Sequence, residues 1–358
     1  MNPLILIAAG GTGGHIFPGL AVAEEIAARD RGIRVEFVGS SAPLSLEQRL
    51  VPPSGLRLHL LPVLPLNLKS RGGRLRGLAL LPWGLFRSFL LLLTSRPRVV
   101  LGIGGYASGP LLLMASLLRI PTVIVEPNAI PGFTNRVLRP FVRKAACGFE
   151  VTLAFFRGKG VLTGNPVRAS FKALPRRAHA RPARLLCFGG SQGSRILSDG
   201  LVRALPHLPP EASLAIVHQT GAMQHAAVEA AYRAAGRNAR VVPFIDDMAA
   251  AFAEADIVLC RAGATTLAEL TVAGKAAILV PLSSAADDHQ TFNAKAMAEA
   301  GAAVMLSEAD LGRLGSVVSD LIADPARLRS IENGATALGR PDAAARVADL
   351  LSPWLEAA

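Results

Sequence analysis

Acidic residues are absent from one long stretch of this chain. Between Gln48 and Val125 there are ten Lys or Arg and no Asp or Glu, whereas the whole chain holds 38 basic and 26 acidic residues, a net charge of +12. That stretch calls for an anionic partner. Cysteine is scarce too. Cys147, Cys187 and Cys260 are odd in number and far apart, which excludes a disulfide framework or a zinc knuckle and predicts buried thiols in a reducing compartment. The apolar run from Gly77 to Leu93 is broken by Pro82 and Arg87 and falls short of the ~20 residues that span a bilayer. The opening MNPLILIAAGG lacks the charged region and cleavage site of a signal peptide, so the fold is expected to begin at once. Aromatics are not interleaved with the basic residues, which argues against nucleic acid as the anionic partner.

What is present is an α/β grammar used twice. With 358 residues, 51% of them hydrophobic, the chain suits two domains. LILIAA at 4–9 reads as a strand buried on both faces, followed by GGTGGH at 10–15 and a helix with Pro18 near its start. Leu20, Val22, Ala23, Ile26 and Ala27 form the apolar face of that helix, and Glu25 pairs with Arg29. The same order returns with RLLCF at 184–188, GGSQGSR at 189–195 and a helix after it. Further strands are expected at 34–39, 98–105, 121–126, 213–220, 239–245, 255–263 and 275–281, giving two parallel sheets with right-handed crossovers. The polar, basic, proline-marked segment 164–182 marks the boundary region. The expected domains are 1–163, 164–340 and a closing amphipathic helix within 341–358 that packs back on the first domain.

Ligands of open parallel sheets bind at the carboxyl ends of the strands, where both glycine loops fall. GGTGGH has Ile16 in place of the third glycine of the dinucleotide fingerprint and no Lys-Ser/Thr after it, which disfavours NAD and ATP. A third glycine turn, GIGGYASGP at 102–110, joins the first two. Taken singly, each has a plain reading as a tight turn; taken together they suggest backbone approaching phosphates or sugars. His15, at a helix start, is expected to stay neutral and to take a proton from an acceptor hydroxyl; its plain reading is local packing. CRAGATTLAEL at 260–270 puts Thr265, Thr266 and Glu269 on the first turns of a helix whose N–H groups suit a diphosphate. Glu269 is then available to ribose hydroxyls, or simply offsets the helix dipole. After the strand at 275–281, Gln290 and Asn293 suit sugar hydroxyls, while Asp287, Asp288 and His289 are adjacent and point apart, which argues against a metal site.

Lys69, Arg71, Arg74 and Arg76 precede an apolar segment carrying Trp83, Phe86 and Phe89. A basic cluster beside aromatics suits a helix lying on an anionic membrane surface. The alternative is a wholly buried helix with solvated arginines before it.

The ordered set GGTGGHIFPGLAVA at 10–23, GIGGYASGP, GNPVR at 164–168, GGSQGSRIL at 189–197, FIDDMAAAFAEAD at 244–256 and RAGATTLAEL at 261–270 resembles the MurG family of N-acetylglucosaminyltransferases over the whole chain. The resemblance implies a GT-B fold, two Rossmann-like domains facing a cleft, with the donor UDP-N-acetylglucosamine on the second. It implies an acceptor, undecaprenyl-pyrophosphoryl-muramyl-pentapeptide, inversion at the anomeric carbon, no obligatory metal or cofactor, and a peripheral place on the cytoplasmic face of the membrane. Carried over by position, Thr12, Gly13 and Gly14 line the site, Asn128 approaches the donor sugar and His15 is the base. Arg168 and Ser191 approach the diphosphate and Ile245 the uracil. Ala264, Thr265, Thr266, Leu267, Ala268 and Glu269 cover phosphates, ribose and sugar, Gln290 contacts sugar hydroxyls with Asn293 nearby, and Tyr106 and Glu126 match positions tied to activity. Three positions depart from the usual pattern: Pro127 replaces Gln, Ser198 replaces Asn and Ala262 replaces Ser. The first bears on how Asn128 is presented. A UDP-sugar epimerase and a non-catalytic UDP-sugar-binding subunit are the alternatives, and cell-wall synthesis or division proteins are left open as partners.

Overall fold

The computed structural model describes residues 2–42, 45–64, 71–175, 179, 181–190 and 192–355; the side chains of 71–76, 78 and 286 lie outside that description. Two compact units emerge, Met1–Arg168 with Arg340–Ala358, and Ala169–Gly339.

The first unit runs β1 (Leu4–Ala9), α1 (Gly13–Arg29), β2 (Arg34–Ser40), α2 (Leu46–Leu50), β3 (Arg57–Leu61), α3 (Arg71–Ser95), β4 (Val99–Gly104), α4 (Ser108–Leu117), β5 (Thr122–Glu126), α5 (Phe133–Leu138), β6 (Lys144–Cys147) and β7 (Gly160–Leu162). Its seven strands, all paired in parallel, lie in the order β3-β2-β1-β4-β5-β6-β7. The second unit runs α6 (Ala169–Lys172), β8 (Ala183–Phe188), α7 (Arg195–Ala204), β9 (Leu214–Gln219), α8 (His225–Ala234), β10 (Arg240–Val242), α9 (Met248–Glu254), β11 (Ile257–Cys260), α10 (Ala264–Ala273), β12 (Ala276–Leu279), α11 (His289–Glu299), β13 (Val304–Met305), α12 (Leu314–Ala323) and α13 (Pro325–Leu338). Its six parallel strands repeat the same winding, β10-β9-β8-β11-β12-β13. In both sheets the order reverses beside the first strand. The glycine loops after β1 and β4, and those after β8 and β11, therefore sit at the two switch points, where parallel sheets bind ligands.

Strands β1, β4 and β5 are buried throughout, as near-continuous Leu, Ile and Val require of strands covered on both faces. One core of the first unit joins Ile5, Ile7 and Phe37 to α1 and to Val347 and Leu351 of α14 (Ala343–Leu351). Arg29 bridges α1 and α14, meeting Glu25 at 2.8 Å and Asp349. Ala27, expected on the apolar face of α1, is exposed, and Pro18 lies within the helix rather than in its first turn. The sequence pattern missed β3, β6, β7 and β13, short strands toward the sheet edges. The strand expected at 239–245 ends at Val242, because Pro243 has no N–H to give to the ladder.

All three cysteines are buried and free, and burial raises each thiol pKa, that of Cys147 to about 11. In the second unit His218 is 1% exposed, between Ser198 Oγ on Nε2 and Tyr232 Oη on Nδ1, each 3.2 Å away. Ser198, the departure from Asn, belongs to this buried relay. Burial pushes the His218 pKa down to about 4 from 6.5, so the folded chain holds the ring neutral. The unfolded chain binds the extra proton below pH 6.5, so this contribution is complete above that pH and falls away toward pH 4. The expected loss is about 3 kcal/mol. Unfolding midpoints taken from pH 7.5 to 4.5 check it, and a His218→Gln chain should lose that part of the slope.

Candidate active site

In the first unit, the turns after β1 and β4 press against each other. A Cβ on Gly105, whose φ is +85°, would fall 2.3 Å from the Gly10 carbonyl oxygen, and one on Gly104 would fall 2.6 Å from Cδ2 of His15. Only glycine admits that approach. The imidazole of His15 thus lies over the end of β4, with Nδ1 3.0 Å from the Gly10 carbonyl oxygen and 3.4 Å from Thr12 Oγ1. A carbonyl only accepts, so Nδ1 carries the hydrogen and the lone pair of the neutral ring is on Nε2. This is the arrangement a base needs. Thr12 is the N-cap of α1, and Gly13 and Gly14 are its first residues.

Tyr106 is half-buried, its ring 3.2 Å from where a Cβ on Gly11 would be. Burial, with the charge of Glu47 adding to it, raises the phenol pKa and keeps it protonated near neutral pH. Ser108, which sequence reasoning did not single out, lies within hydrogen-bond reach of the carbonyls of Ala8 and Gly104 and so ties the two strand ends.

Glu126, at the end of β5, is 1% exposed. Its Oε1 accepts from the backbone and side-chain nitrogens of Asn128 at 3.0 and 3.2 Å, and its Oε2 accepts from Gly132 N and Asn135 Nδ2, both at 2.9 Å. Burial raises its pKa while those four donors pull it back. The catalytic expectation for Glu126 gives way to a structural one here: the buried carboxylate shapes the 127–132 loop and presents Asn128. Pro127 removes no bond from this arrangement, since the amides held are those of residues 128 and 132. Arg168 places its guanidinium 4.6 Å from the ring centre of Phe17 on α1, so it stands by the first turns of that helix.

In the second unit, the turns after β8 and β9 meet back to back. A Cβ on Gly193 would be 1.9 Å from the Thr220 carbonyl oxygen, and one on Gly221 would be 2.0 Å from that of Gln192. Ser194 caps α7, its hydroxyl accepting from Leu197 N at 3.4 Å. Arg261, at the end of β11, ties the switch point together. It donates to Ser194 Oγ, Val280 O and Pro281 O, each at 3.2 Å, and pairs in charge with Glu308 at 2.7 Å, without an aligned hydrogen bond. Arg261 was not picked out as a site residue, because its role depends on three loops distant in sequence.

Ala264 opens α10 with Gly263 as its cap, so the backbone N–H groups around Thr265 and Thr266 start the helix at the β11 strand end. Leu267 and Glu269 are both buried in α10, 2% and 5% exposed; Ala268 is half-buried. Leu267 therefore offers backbone only. Asn293 is 0% exposed and donates to Ala262 O at 3.2 Å, so the expected sugar contact is corrected: it holds the loop before α10 from below. Gln290 is half-buried, its Oε1 accepting from Leu282 N at 3.0 Å, so that its amide nitrogen is the group left to donate. Ile245 is half-buried beside exposed Phe244, just before α9. Ser191 lies outside the described residues. Among the described residues, no group of three or more His, Cys, Asp or Glu is placed to hold a metal ion.

On α3 the pattern is inverted. Gly84, Ser88 and Leu92 are buried, and a Cβ on Gly84 would come within 2.7 Å of Val63. Trp83 (50% exposed), Phe86 (48%), Leu90 and Leu93 occupy the outer face, and the two aromatic rings stack at 5.5 Å. Phe89, expected with them, is only partly exposed. The wholly buried helix is thus excluded. Leu117 on α4 and Phe133 and Val137 on α5 continue the apolar exposure, α4 packing on both α3 and α5. The side chains of Arg71, Arg74 and Arg76 lie outside the described residues. Among the described residues no helix is long and apolar enough to cross a membrane.

The family model of the glycosyltransferase family 28 N-terminal domain matches residues 5–147, and that of the family's C-terminal domain matches 184–347. A protein of Anaeromyxobacter sp. (strain Fw109-5), named UDP-N-acetylglucosamine–N-acetylmuramyl-(pentapeptide) pyrophosphoryl-undecaprenol N-acetylglucosamine transferase, is 48% identical over 97% of this chain and 92% of its own. One of the same name from Myxococcus xanthus is 47% identical over 97% of this chain and 91% of its own. The crystal structure of Acinetobacter baumannii MurG superposes with a TM-score of 0.80 at 33% identity, covering 98% of this chain and 99% of that one. The chain belongs to the MurG family. Its two Rossmann-like units are those of the GT-B fold, and the MurG resemblance read from the glycine loops holds from end to end.

Proposed function

We propose that this chain transfers N-acetylglucosamine from UDP-N-acetylglucosamine to the muramyl 4-hydroxyl of undecaprenyl-pyrophosphoryl-muramyl-pentapeptide, inverting the anomeric carbon, in peptidoglycan synthesis. The observation that carries this reading is the near full-length identity to relatives named for that transfer. His15 takes the acceptor hydroxyl proton on Nε2 as the oxygen attacks the anomeric carbon and the bond to UDP breaks. Charge growing on the leaving diphosphate is met by Arg168, Ser191 and the amide-rich start of α10 at Ala264 to Thr266. Gln290 offers its amide nitrogen to sugar hydroxyls, Asn128 approaches the sugar, Ile245 borders the uracil and Glu269 the ribose. Thr12, Gly13 and Gly14 lend the first turn of α1.

The test is purified protein with labelled UDP-N-acetylglucosamine and a lipid-linked muramyl acceptor. Labelled disaccharide lipid is the expected product. Free epimerised sugar would support an epimerase instead, and donor binding without transfer a non-catalytic subunit.

The outer face of α3, in a segment rich in cations and free of acids, supports a peripheral position on the anionic, cytoplasmic face of the membrane. Replacing Trp83 and Phe86 together with Ser should weaken binding to anionic vesicles by about tenfold or more, since each aromatic contributes apolar area to the contact. UDP binding should be unchanged. Flotation with vesicles containing phosphatidylglycerol measures this, and equal flotation of both proteins would reject α3 as the anchor.

A further inference from the structure

The carboxylate of Glu47 has no place in the chemistry above, yet it is 0% exposed. Two glycines keep room for it. A Cβ on Gly10 would lie 2.7 Å from its Oε1, and one on Gly39 would lie 2.6 Å from its Cγ. Taking a carboxylate out of water costs more than two amide hydrogen bonds return, so packing alone does not account for it. Its bonds suggest what it does. Oε1 accepts from Ser40 N at 2.9 Å and Oε2 from Gly11 N at 3.1 Å.

The Gly11 N–H and the Gly10 carbonyl belong to one trans peptide and point in opposite directions. Glu47 therefore grips one side of the peptide whose other side accepts from His15 Nδ1 at 3.0 Å. Gly105 closes on the same carbonyl, so the peptide has little freedom to rotate. We infer that Glu47 is a positioning residue for His15, acting through the Gly10–Gly11 peptide. Its negative charge polarises that peptide and makes the Gly10 oxygen a stronger acceptor. The stronger acceptor holds the hydrogen on Nδ1, the minor tautomer of a free imidazole, and keeps the lone pair on Nε2. When the acceptor hydroxyl gives its proton to Nε2, Nδ1 retains its own and the same carbonyl steadies the imidazolium. Glu47 moves no proton in this step; it acts through the peptide it holds. The inference rests on His15 being the base.

The test is Glu47→Gln, which has one acceptor oxygen for two N–H donors and no charge. Turnover should fall about 10- to 100-fold, the usual range for an outer partner of a working histidine, while KM for UDP-N-acetylglucosamine changes less than twofold. The nitrogen-15 shifts of His15 should move from the Nδ1–H toward the Nε2–H form. Glu47→Asp, which keeps the charge, should restore part of both. Wild-type turnover, or an unchanged tautomer, would overturn the inference, as would equal loss of turnover and donor affinity with the tautomer intact. If His15→Ala retains full turnover, the base assignment fails by itself. A tautomer that still follows Glu47 would then uphold the relay.

Discussion

Replacing His15 with Ala is expected to lower turnover by roughly 10²- to 10⁴-fold, the range typical of a lost general base. The donor is expected to bind within about threefold of its normal affinity. The two effects separate because the ring is held by Gly10 in the first unit, whereas the α10 start and Gln290 belong to the second. Steady-state rates with varied UDP-N-acetylglucosamine, together with calorimetric titration of UDP, measure both. Parallel loss of turnover and affinity would make His15 a binding residue. Its substitution also removes the ring packed over Gly104, so the thermal midpoint should be recorded alongside.

Gly193→Ala is expected to have the largest effect on stability. The added methyl would stand 1.9 Å from a backbone carbonyl at a residue with φ of +76°, so neither side can yield without moving the β9 turn. The expected cost is roughly 4 kcal/mol or more, in the range reserved for clashes that cannot relax. Donor binding should fall with it, because Ser194 and Arg261 take their positions from this turn. Gly190→Ala is the matched control. It also has positive φ, +93°, but nothing lies within 4 Å of the new atom, so only the conformational penalty of about 1 kcal/mol applies. Equal thermal midpoints for the two variants would show that the turn-to-turn contact does not govern this loop.

Much of the fold is legible in the chain because strands buried on both faces read as apolar runs, as β1, β4 and β11 do throughout and β5 and β8 do over Val123–Val125 and Leu185–Phe188. The strands it hid are short or alternate with polar residues, as in RLHLL of β3. Within the site, glycine turns were visible because few residues tolerate such backbone. Side-chain roles were less so. Asn293 looked like a sugar ligand by its place after a strand, but burial assigns it to the Ala262 carbonyl 31 residues away. Glu126 looked like a chemical group and proves to be the clamp of a loop. Phe89 follows the hydropathy of its neighbours yet lies at the flank of their exposed face, only partly exposed.

The amino-acid sequence determined that there are two similar nucleotide-type units, that glycine turns stand at their strand ends, and that the family is MurG. Those properties depend on short-range patterns. Only the tertiary structure decided which nitrogen of His15 carries the hydrogen, that Glu47 lies behind Gly10 and Gly11, and that Arg261 joins three loops. Each depends on groups brought together from distant parts of the chain, 36 residues apart for Glu47 and Gly11, and on burial that makes those few hydrogen bonds obligatory.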